Sequence, residues 1–406
     1  MFNYLEREPG DPFHRIDVVA VGITMAAVLK LVQAPQFNEQ VDVDPAGYSR
    51  DGHSLQQAFS YTHLWQSPVA RYVIDRFSEK GDTVLDVSCG TGATGVEAAL
   101  LGRHFVGCAK DQALVKLARA RLSPADIAEV VLRLQFLNLK RPVDVREFKD
   151  PFPLYFDVDT FCELVNLRSA LRNGSSHVDA FIELIIASIL HGHTVGHLSG
   201  YSSPHVATTP NEQASLNRKR GEVPSYRAVS ARVIKRAATL VRDGVPRNLQ
   251  TRDLERPVFH AAENDMAPVR TGSVNLALVC PNQPGMTEQG LRSWLRSWFL
   301  GVEQYHPDPQ PSSLEEWSGY INETLLETAR TVRKGGRAVV RVGRGRLGVK
   351  PVNYGETLAS VLPDLSQYWA VEGTIVERYA KSAGLMKGGS KLAGDVAAEL
   401  VVLRRK

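Results

Sequence analysis

The chain has 406 residues, 43% of them hydrophobic and 23% charged, which is enough for two sizeable buried cores. Aromatic residues reach 8% and no long polar tract interrupts them, which excludes a disordered chain. Lys and Arg total 48 against 44 Asp and Glu, and a net charge of +4 by itself neither requires nor excludes a nucleic-acid partner.

Four cysteines, Cys89, Cys108, Cys162 and Cys280, are scattered without a CxxC pair. That usage argues against a disulfide framework or a zinc knuckle and for a reducing, cytoplasmic setting. Glu6, Glu8 and Asp11 stand where a signal peptide would carry basic residues. The most apolar run, Val18 to Leu29, is twelve residues long. A hydrocarbon layer of about 30 Å needs more, so the run reads as a buried helix and no membrane contact is expected.

In chain order, regular patterning starts with a helix over Val69–Phe77 and a strand over Thr83–Val87. A glycine cluster (Gly90, Gly92, Gly95) opens a helix running to Leu101, followed by a strand at His104–Cys108 and a helix at Gln112–Leu122. This alternation is the grammar of a parallel sheet covered on both faces. Residues 123–250 are mainly helical, as in Val158–Leu171 and Val178–Leu190, with a Ser-, His- and Pro-rich loop over 192–210. Strands resume at Pro257–Ala261 and Val274–Val279, then a helix at Leu314–Val332 ends at Gly335–Gly336 before a strand at Arg337–Val342. Tyr368–Glu377 and Val396–Leu403 are expected to pair as an antiparallel hairpin at a sheet edge. The predicted organisation is a helical extension at 1–54, an α/β domain assembled from 55–122 and 251–406, and a helical insertion at 123–250.

Asp86-Val87-Ser88-Cys89-Gly90-Thr91-Gly92 joins a strand to a helix. Glycines there let a ligand approach the backbone, and a helix start offers N–H groups. A dinucleotide fold would use a similar turn, and so would a structural connection without a ligand. An Asp at the strand end followed by Cys-Gly-Thr-Gly is closer to the turn that holds the methionine moiety of S-adenosylmethionine.

With Val106-Gly107-Cys108 behind it, Thr83–Leu122 resembles the S-adenosylmethionine-binding half of bacterial DNA amino-methyltransferases, which modify cytosine N4 or adenine N6. Leu190-His191-Gly192-His193 with Ser199, Pro204 and Pro210, then Trp294–Gly301 and Leu325–Gly336, resemble later parts of that family. The resemblance spans residues 55–406. It implies a Rossmann-like α/β methyltransferase sheet with a C-terminal antiparallel hairpin, interrupted by a mainly helical insertion that recognises DNA, and S-adenosylmethionine as cofactor.

The same resemblance implies that Asp86, Ser88, Cys89, Gly90, Thr91 and Gly92 hold the cofactor, although Val87 and Ser88 replace the family's Pro and Phe. The acidic residue expected to bind the ribose is Ala109 here, followed by Lys110, with Asp111 as the substitute. Losing a charge-assisted hydrogen bond costs about 1.5–3 kcal/mol. Glu263 falls near the position that would hold the adenine. The catalytic Ser-Pro-Pro-Tyr of the family reads Cys280-Pro281-Asn282-Gln283. In the family the first side chain and a backbone carbonyl accept from the target amino group, and the tyrosine stacks on the flipped base. Cysteine accepts poorly and glutamine has no ring face, so about 1–3 kcal/mol of stacking is lost.

The bland readings of neighbouring residues are also specific. Cys280 has no His near it in sequence and reads as a buried strand end rather than a nucleophile. His191, His193 and His197 lack carboxylate or cysteine companions at ligand spacing, so no metal is expected. Trp294 and Trp298, four apart on one helical face, read as core.

Charge is uneven along the chain. Leu216–Arg247 holds nine bases (Arg218, Lys219, Arg220, Arg227, Arg232, Lys235, Arg236, Arg242, Arg247) against Glu222 and Asp243, a net +7. Thr331–Lys350 holds seven (Arg333, Lys334, Arg337, Arg341, Arg344, Arg346, Lys350) and no acid, again +7, which leaves the rest at −10. Such polarisation is the footprint of a phosphate-binding face or of two solvated stretches. It names Arg218, Lys219, Arg220, Arg227, Arg344 and Arg346 as DNA contacts. Two functions follow. One is a DNA-binding member of the family whose methyl transfer is lost or strongly impaired, serving beside an active methyltransferase or another defence-system subunit. The other is an active methyltransferase with an atypical motif, acting on DNA or on a different substrate.

Overall fold

Phe37–Val43 forms a strand (β1), and the computed structural model describes it together with residues 52–59, 65–172, 176–203, 208–249, 258–281, 294–302, 311–347, 350–379 and 396–406. Pro68 in the first turn starts the helix Ser67–Phe77 (α1), whose Val69, Val73, Ile74 and Phe77 recur at helical spacing and are buried. Thr83–Asp86 (β2), Ala93–Leu100 (α2), His104–Ala109 (β3) and Gln112–Leu122 (α3) follow as the pattern predicts.

Next come the helices Ile127–Gln135 (α4), Val158–Arg172 (α5), His177–Ile189 (α6), Pro210–Arg220 (α7) and Val229–Leu240 (α8). Their ends are written locally: Asp126 with Glu129 and Thr209 with Glu212 form capping boxes. α8 buries Val229, Val233, Ala237 and Leu240 along a single stripe. The remaining elements are Val258–His260 (β4), Val274–Val279 (β5), Trp294–Leu300 (α9), Leu314–Thr331 (α10), Val332–Val342 (β6), Arg344–Leu347 (β7), Lys350–Asn353 (β8), Tyr354–Val361 (α11), Trp369–Tyr379 (β9) and Val396–Arg405 (β10).

The main sheet has the order β1-β9-β10-β6-β5-β2-β3-β4. β4, β3, β2, β5 and β6 run parallel. β10 is inserted antiparallel between β6 and β9. The architecture is a mixed α/β, methyltransferase-like sheet with a C-terminal antiparallel pair, as expected. The chain departs from β2 toward β3 and β4 on one side and toward β5 and β6 on the other. In parallel sheets such a reversal opens a crevice at the carboxyl ends of the strands.

Two expectations are corrected. Residues 37–43, within the stretch expected to be helical, form β1, which pairs parallel with β9 from Phe37↔Gly373 to Val43↔Tyr379. The C-terminal hairpin is therefore not the sheet edge, because β1 covers β9. The run Val18–Leu29 lies outside the described residues.

Three apolar clusters hold the layers together. Trp317, Ile321 and Leu325 of α10 and Leu358 of α11 cover one sheet face, while Val69, Val73 and Ile74 of α1 cover the other. A third cluster joins the inserted helices to α2 and α3, with Phe181, Ile182 and Ile185 of α6 in the same core as Leu117 and Ala118. α9 packs there too. Its Trp294 and Trp298 lie 5.6 and 4.9 Å from the Phe152 ring, and Trp298 stacks on Phe161, so the core reading of the tryptophans is borne out.

Candidate functional site

β2 delivers Asp86 to the crevice, and the next residues stay on the sheet's hydrogen-bond grid. Val87 N–H donates to Leu278 (3.1 Å), and Cys89 N–H donates to Cys108 (2.9 Å). The turn then closes tightly, with Gly92 N–H donating to the Cys89 carbonyl at 2.8 Å. Gly90 and Gly92 have φ of 52° and 79°, in the left-handed region that glycine adopts without strain. A Cβ at Gly92 would also approach Ala118 of α3 to 3.2 Å. Gly107 makes room for Cys89, whose sulfur would lie 2.8 Å from a Cβ there.

Asp86 is buried, and burial lifts its carboxyl to about pKa 6 against the opposing Thr94 hydroxyl and Ser88 N–H. Ser88 N–H reaches Asp86 Oδ1 at 3.1 Å, and Ser88 Oγ donates to the Cys280 carbonyl at 3.1 Å. That second bond ties the glycine turn to the strand end expected to be catalytic, 192 residues away. Thr91 is buried beneath the turn.

Asp111 caps α3, its Oδ1 accepting from Ala113 N–H at 2.7 Å. Ala109, at the acidic residue's expected position, is buried. Lys110 extends over the Tyr320 ring at 5.4 Å. Glu263, in the turn after β4, is buried close enough to Cys108 to act on it. Burial, then Asp86, then Glu263 push the Cys108 thiol up to about 12. Asp86, Asp111 and Glu263 thus follow the carboxyl ends of β2, β3 and β4.

Cys280 and Pro281 are buried at the end of β5, while Asn282 and Gln283 lie outside the described residues. Burial raises the Cys280 thiol to about 11 although the Arg341 guanidinium opposes it, which fits a structural strand end and not a nucleophile. Arg341 on β6 reaches across β10 to Glu377 on β9, with Nε and Nη2 each 2.8 Å from a carboxylate oxygen. Glu377 is fully buried. Burial alone would lower the guanidinium, but Glu377 holds it above its usual value. A buried, bidentate ion pair therefore sits beside Cys280, the residue expected at the amino-group acceptor's position.

Sequence reasoning missed both the Ser88 tie and this pair. The signal for the pair was present, since Arg337 and Arg341 interrupt one apolar strand and Glu372 and Glu377 interrupt another.

The basic stretches divide once they are folded. Arg337 binds Glu372 at 2.6 and 2.9 Å, so with Arg341 two of the seven bases in the second stretch are committed to ion pairs across the sheet. Arg333 and Lys334 lie at the start of β6, in the irregular stretch between its Val332 and Arg337 pairings, whereas exposed Arg344 and β7 residue Arg346 follow its carboxyl end. At about 3.3 Å per residue, Arg333 and Arg344 lie on the order of 30 Å apart. In the insertion, Arg218, Lys219 and Arg220 are exposed in the last turn of α7. Arg220 also pairs with Glu222 at 2.8 Å and covers the Tyr201 ring at 3.9 Å. Arg227, expected to contact DNA, is half-buried and donates to the His197 carbonyl at 2.8 Å, so it clamps the histidine loop instead. Within that loop His191 Nδ1 donates to the Ser203 carbonyl at 2.7 Å, and burial lowers His197 to about 4. Among the described residues no group of three His, Cys, Asp or Glu is placed to hold a metal. No described helix is long and apolar enough to cross a membrane.

The family comparison falls on the half of the sheet that holds the glycine turn. Residues 49–120 match the N6/N4 family model described as DNA methylase. The matched stretch carries β2, β3, the glycine turn and most of α3, and it ends before the insertion. Among solved structures, a Clostridium thermocellum chain described as an rRNA methylase is 10% identical, with 83% of this chain and 95% of that one covered at a TM-score of 0.31. The rRNA methyltransferase aviRa from Streptomyces viridochromogenes is 11% identical over 76% of this chain and 94% of its own, at 0.25. At those scores the strand order, and not the likeness, carries the fold.

Proposed function

We propose that the chain is a DNA-binding protein of the DNA amino-methyltransferase kind that retains a cofactor crevice and has lost, or keeps only a trace of, methyl transfer. The single observation behind this reading is the contrast across the Ser88–Cys280 hydrogen bond. On the Ser88 side, two left-handed glycines and the start of α2 leave a backbone cradle of the kind that S-adenosylmethionine requires. On the Cys280 side, a buried thiol faces an interior ion pair, and it offers no acceptor to a target amino group.

The residues present fit the cofactor at its methionine end, through Asp86, Ser88 and the Gly90–Gly92 backbone. They fit less fully at the ribose, where Asp111 has one oxygen committed to its helix. Bound there, S-adenosylmethionine would supply an electrophilic methyl group. Glu263 would meet the adenine end. Arg218, Lys219, Arg220, Arg344 and Arg346 would carry phosphates of DNA, and Arg227 leaves that set.

Labelled methyl transfer to mixed-sequence duplex DNA is the test. Incorporation no greater than a boiled control is expected, together with S-adenosylmethionine binding by calorimetry. Incorporation well above the control would replace this reading with an active enzyme of atypical motif. Cys280→Ser, Asn282→Pro and Gln283→Tyr together should restore measurable transfer if the defect is confined to this strand end. The buried Arg341–Glu377 pair is the obstacle that combination must tolerate.

A further inference from the structure

Away from the glycine turn, at the β4 edge of the sheet, α3, the start of α6 and the end of β4 enclose a groove of about 440 Å³. That volume is in the range that takes a small-molecule ligand. Val115 and Ala180 give it an apolar floor; Lys116, Arg119 and His260 give it basic walls, and no Asp or Glu lines it.

The polar groups are held in place, yet keep donors and acceptors in reserve. Arg119 Nε and Nη2 donate to the Val258 carbonyl at 3.0 and 2.7 Å, which fixes the guanidinium and leaves its other N–H groups for a ligand. Lys116 is anchored by the buried Glu183 at 2.6 Å, and its side chain is 41% exposed. Since Glu183 offsets the Lys116 charge, Arg119 supplies the net positive field. His260 Nε2 donates to the Lys110 carbonyl at 2.6 Å, so Nδ1 is the nitrogen that can accept, as a sugar hydroxyl would require. A fixed cation, a second ammonium, an acceptor and an apolar floor together match a phosphorylated sugar bearing a flat ring.

We propose that this groove binds a nucleoside monophosphate unit, its phosphate on Arg119 and Lys116 and its flat body over Val115 and Ala180. None of the lining residues belongs to the turn or to the Cys280 strand end; Gln112 follows Asp111 and His260 ends β4, so the groove adjoins the ribose side of the proposed crevice and runs from there along α3 to Arg119.

The probe is cytidine 5′-monophosphate, which carries no adenine for a cofactor crevice to accept, titrated into the full chain by calorimetry with cytidine and inorganic phosphate as separate arms. Saturable binding of the monophosphate, tighter than either fragment, is expected. Ala180→Trp should fill the groove and abolish binding while S-adenosylmethionine binding stays as in the parent. Gln112→Glu changes an exposed residue in the first turn of α3, where an acid is tolerated by the helix, and it sets a carboxylate against the phosphate. A loss of about tenfold in affinity is expected from it. This second variant decides the matter if the tryptophan variant does not fold. A short single-stranded oligonucleotide forms the last arm. Competition by it, or binding of it alone with the same sensitivity to both variants, makes the unit part of a strand; its failure beside successful monophosphate binding makes the ligand a free nucleotide. No binding of either up to about 1 mM, or binding that both folded variants leave unchanged, overturns the proposal.

Discussion

Around Gly92 the chain is shaped by its backbone, whereas around Cys280 it is shaped by side chains. The turn is built from backbone amides and glycine approaches, with Ala118 of α3 within 3.2 Å of where a Cβ would stand. Its replaced neighbours, Val87 and Ser88, do not disturb that geometry, because Val87 contributes a ladder hydrogen bond and Ser88 a new one. The strand end depends instead on side-chain chemistry. There a thiol replaces an acceptor, and a guanidinium–carboxylate pair occupies the interior behind it. A site made of backbone tolerates substitution; a site made of functional groups does not. Under the proposed function, that asymmetry is why binding of S-adenosylmethionine and methyl transfer should respond differently to substitution.

The ion pair offers the largest effect with which to break this comparison. Glu377→Ala strands Arg341 in the interior without its counter-charge, and a loss of about 3–5 kcal/mol in unfolding free energy is expected from urea denaturation. Arg341→Met combined with Glu377→Leu should cost far less, since two apolar groups of similar volume need no partner. A single variant no less stable than the double would show that the pair does not organise this end.

Asp86 supplies the next effect, on the side of the turn. Its carboxyl is lifted by burial from 3.8 to about 6, so the folded chain keeps a proton that the unfolded chain has already released between those values. Stability should therefore fall as pH rises from about 4 to 6 and level off above, by on the order of 2–3 kcal/mol. Asp86→Asn should flatten that limb of the stability curve. An unchanged curve in the variant would mean that another group carries the titration.

How far the sequence reveals these two ends depends on how local each one is. The turn is legible because Asp86, Gly90 and Gly92 declare themselves within seven residues, and strands β2, β3 and β5 show their periods directly. β1 is not legible, because its pattern becomes a strand only by pairing with β9 more than three hundred positions away, Phe37 against Gly373. The ion pairs across the sheet fail for a related reason. Arg337 and Arg341 count as surface charge along the chain, and only the insertion of β10 between β6 and β9 brings Glu372 and Glu377 within their reach. Arg227 is misread in the same way, since its partner is a carbonyl thirty residues off in the histidine loop. Trp294 and Trp298 are read correctly from helical spacing alone, because core packing needs only a face and not a named partner.

The smallest effect concerns which end of β6 meets DNA. If the crevice rim carries the phosphates, Arg344 at the carboxyl end contributes one contact and Arg333 at the opposite end contributes none. Binding of duplex DNA, followed against salt concentration, should then lose about 0.9 from the magnitude of its log–log slope in Arg344→Ala. Arg333→Ala should leave the slope where it was. The two residues carry the same charge and fall at opposite ends of β6, so composition cannot distinguish them and only the direction of the strand does. Equal losses in both variants would mean that DNA wraps the whole length of β6, and the rim beside Gly92 would no longer be the face that recognises it.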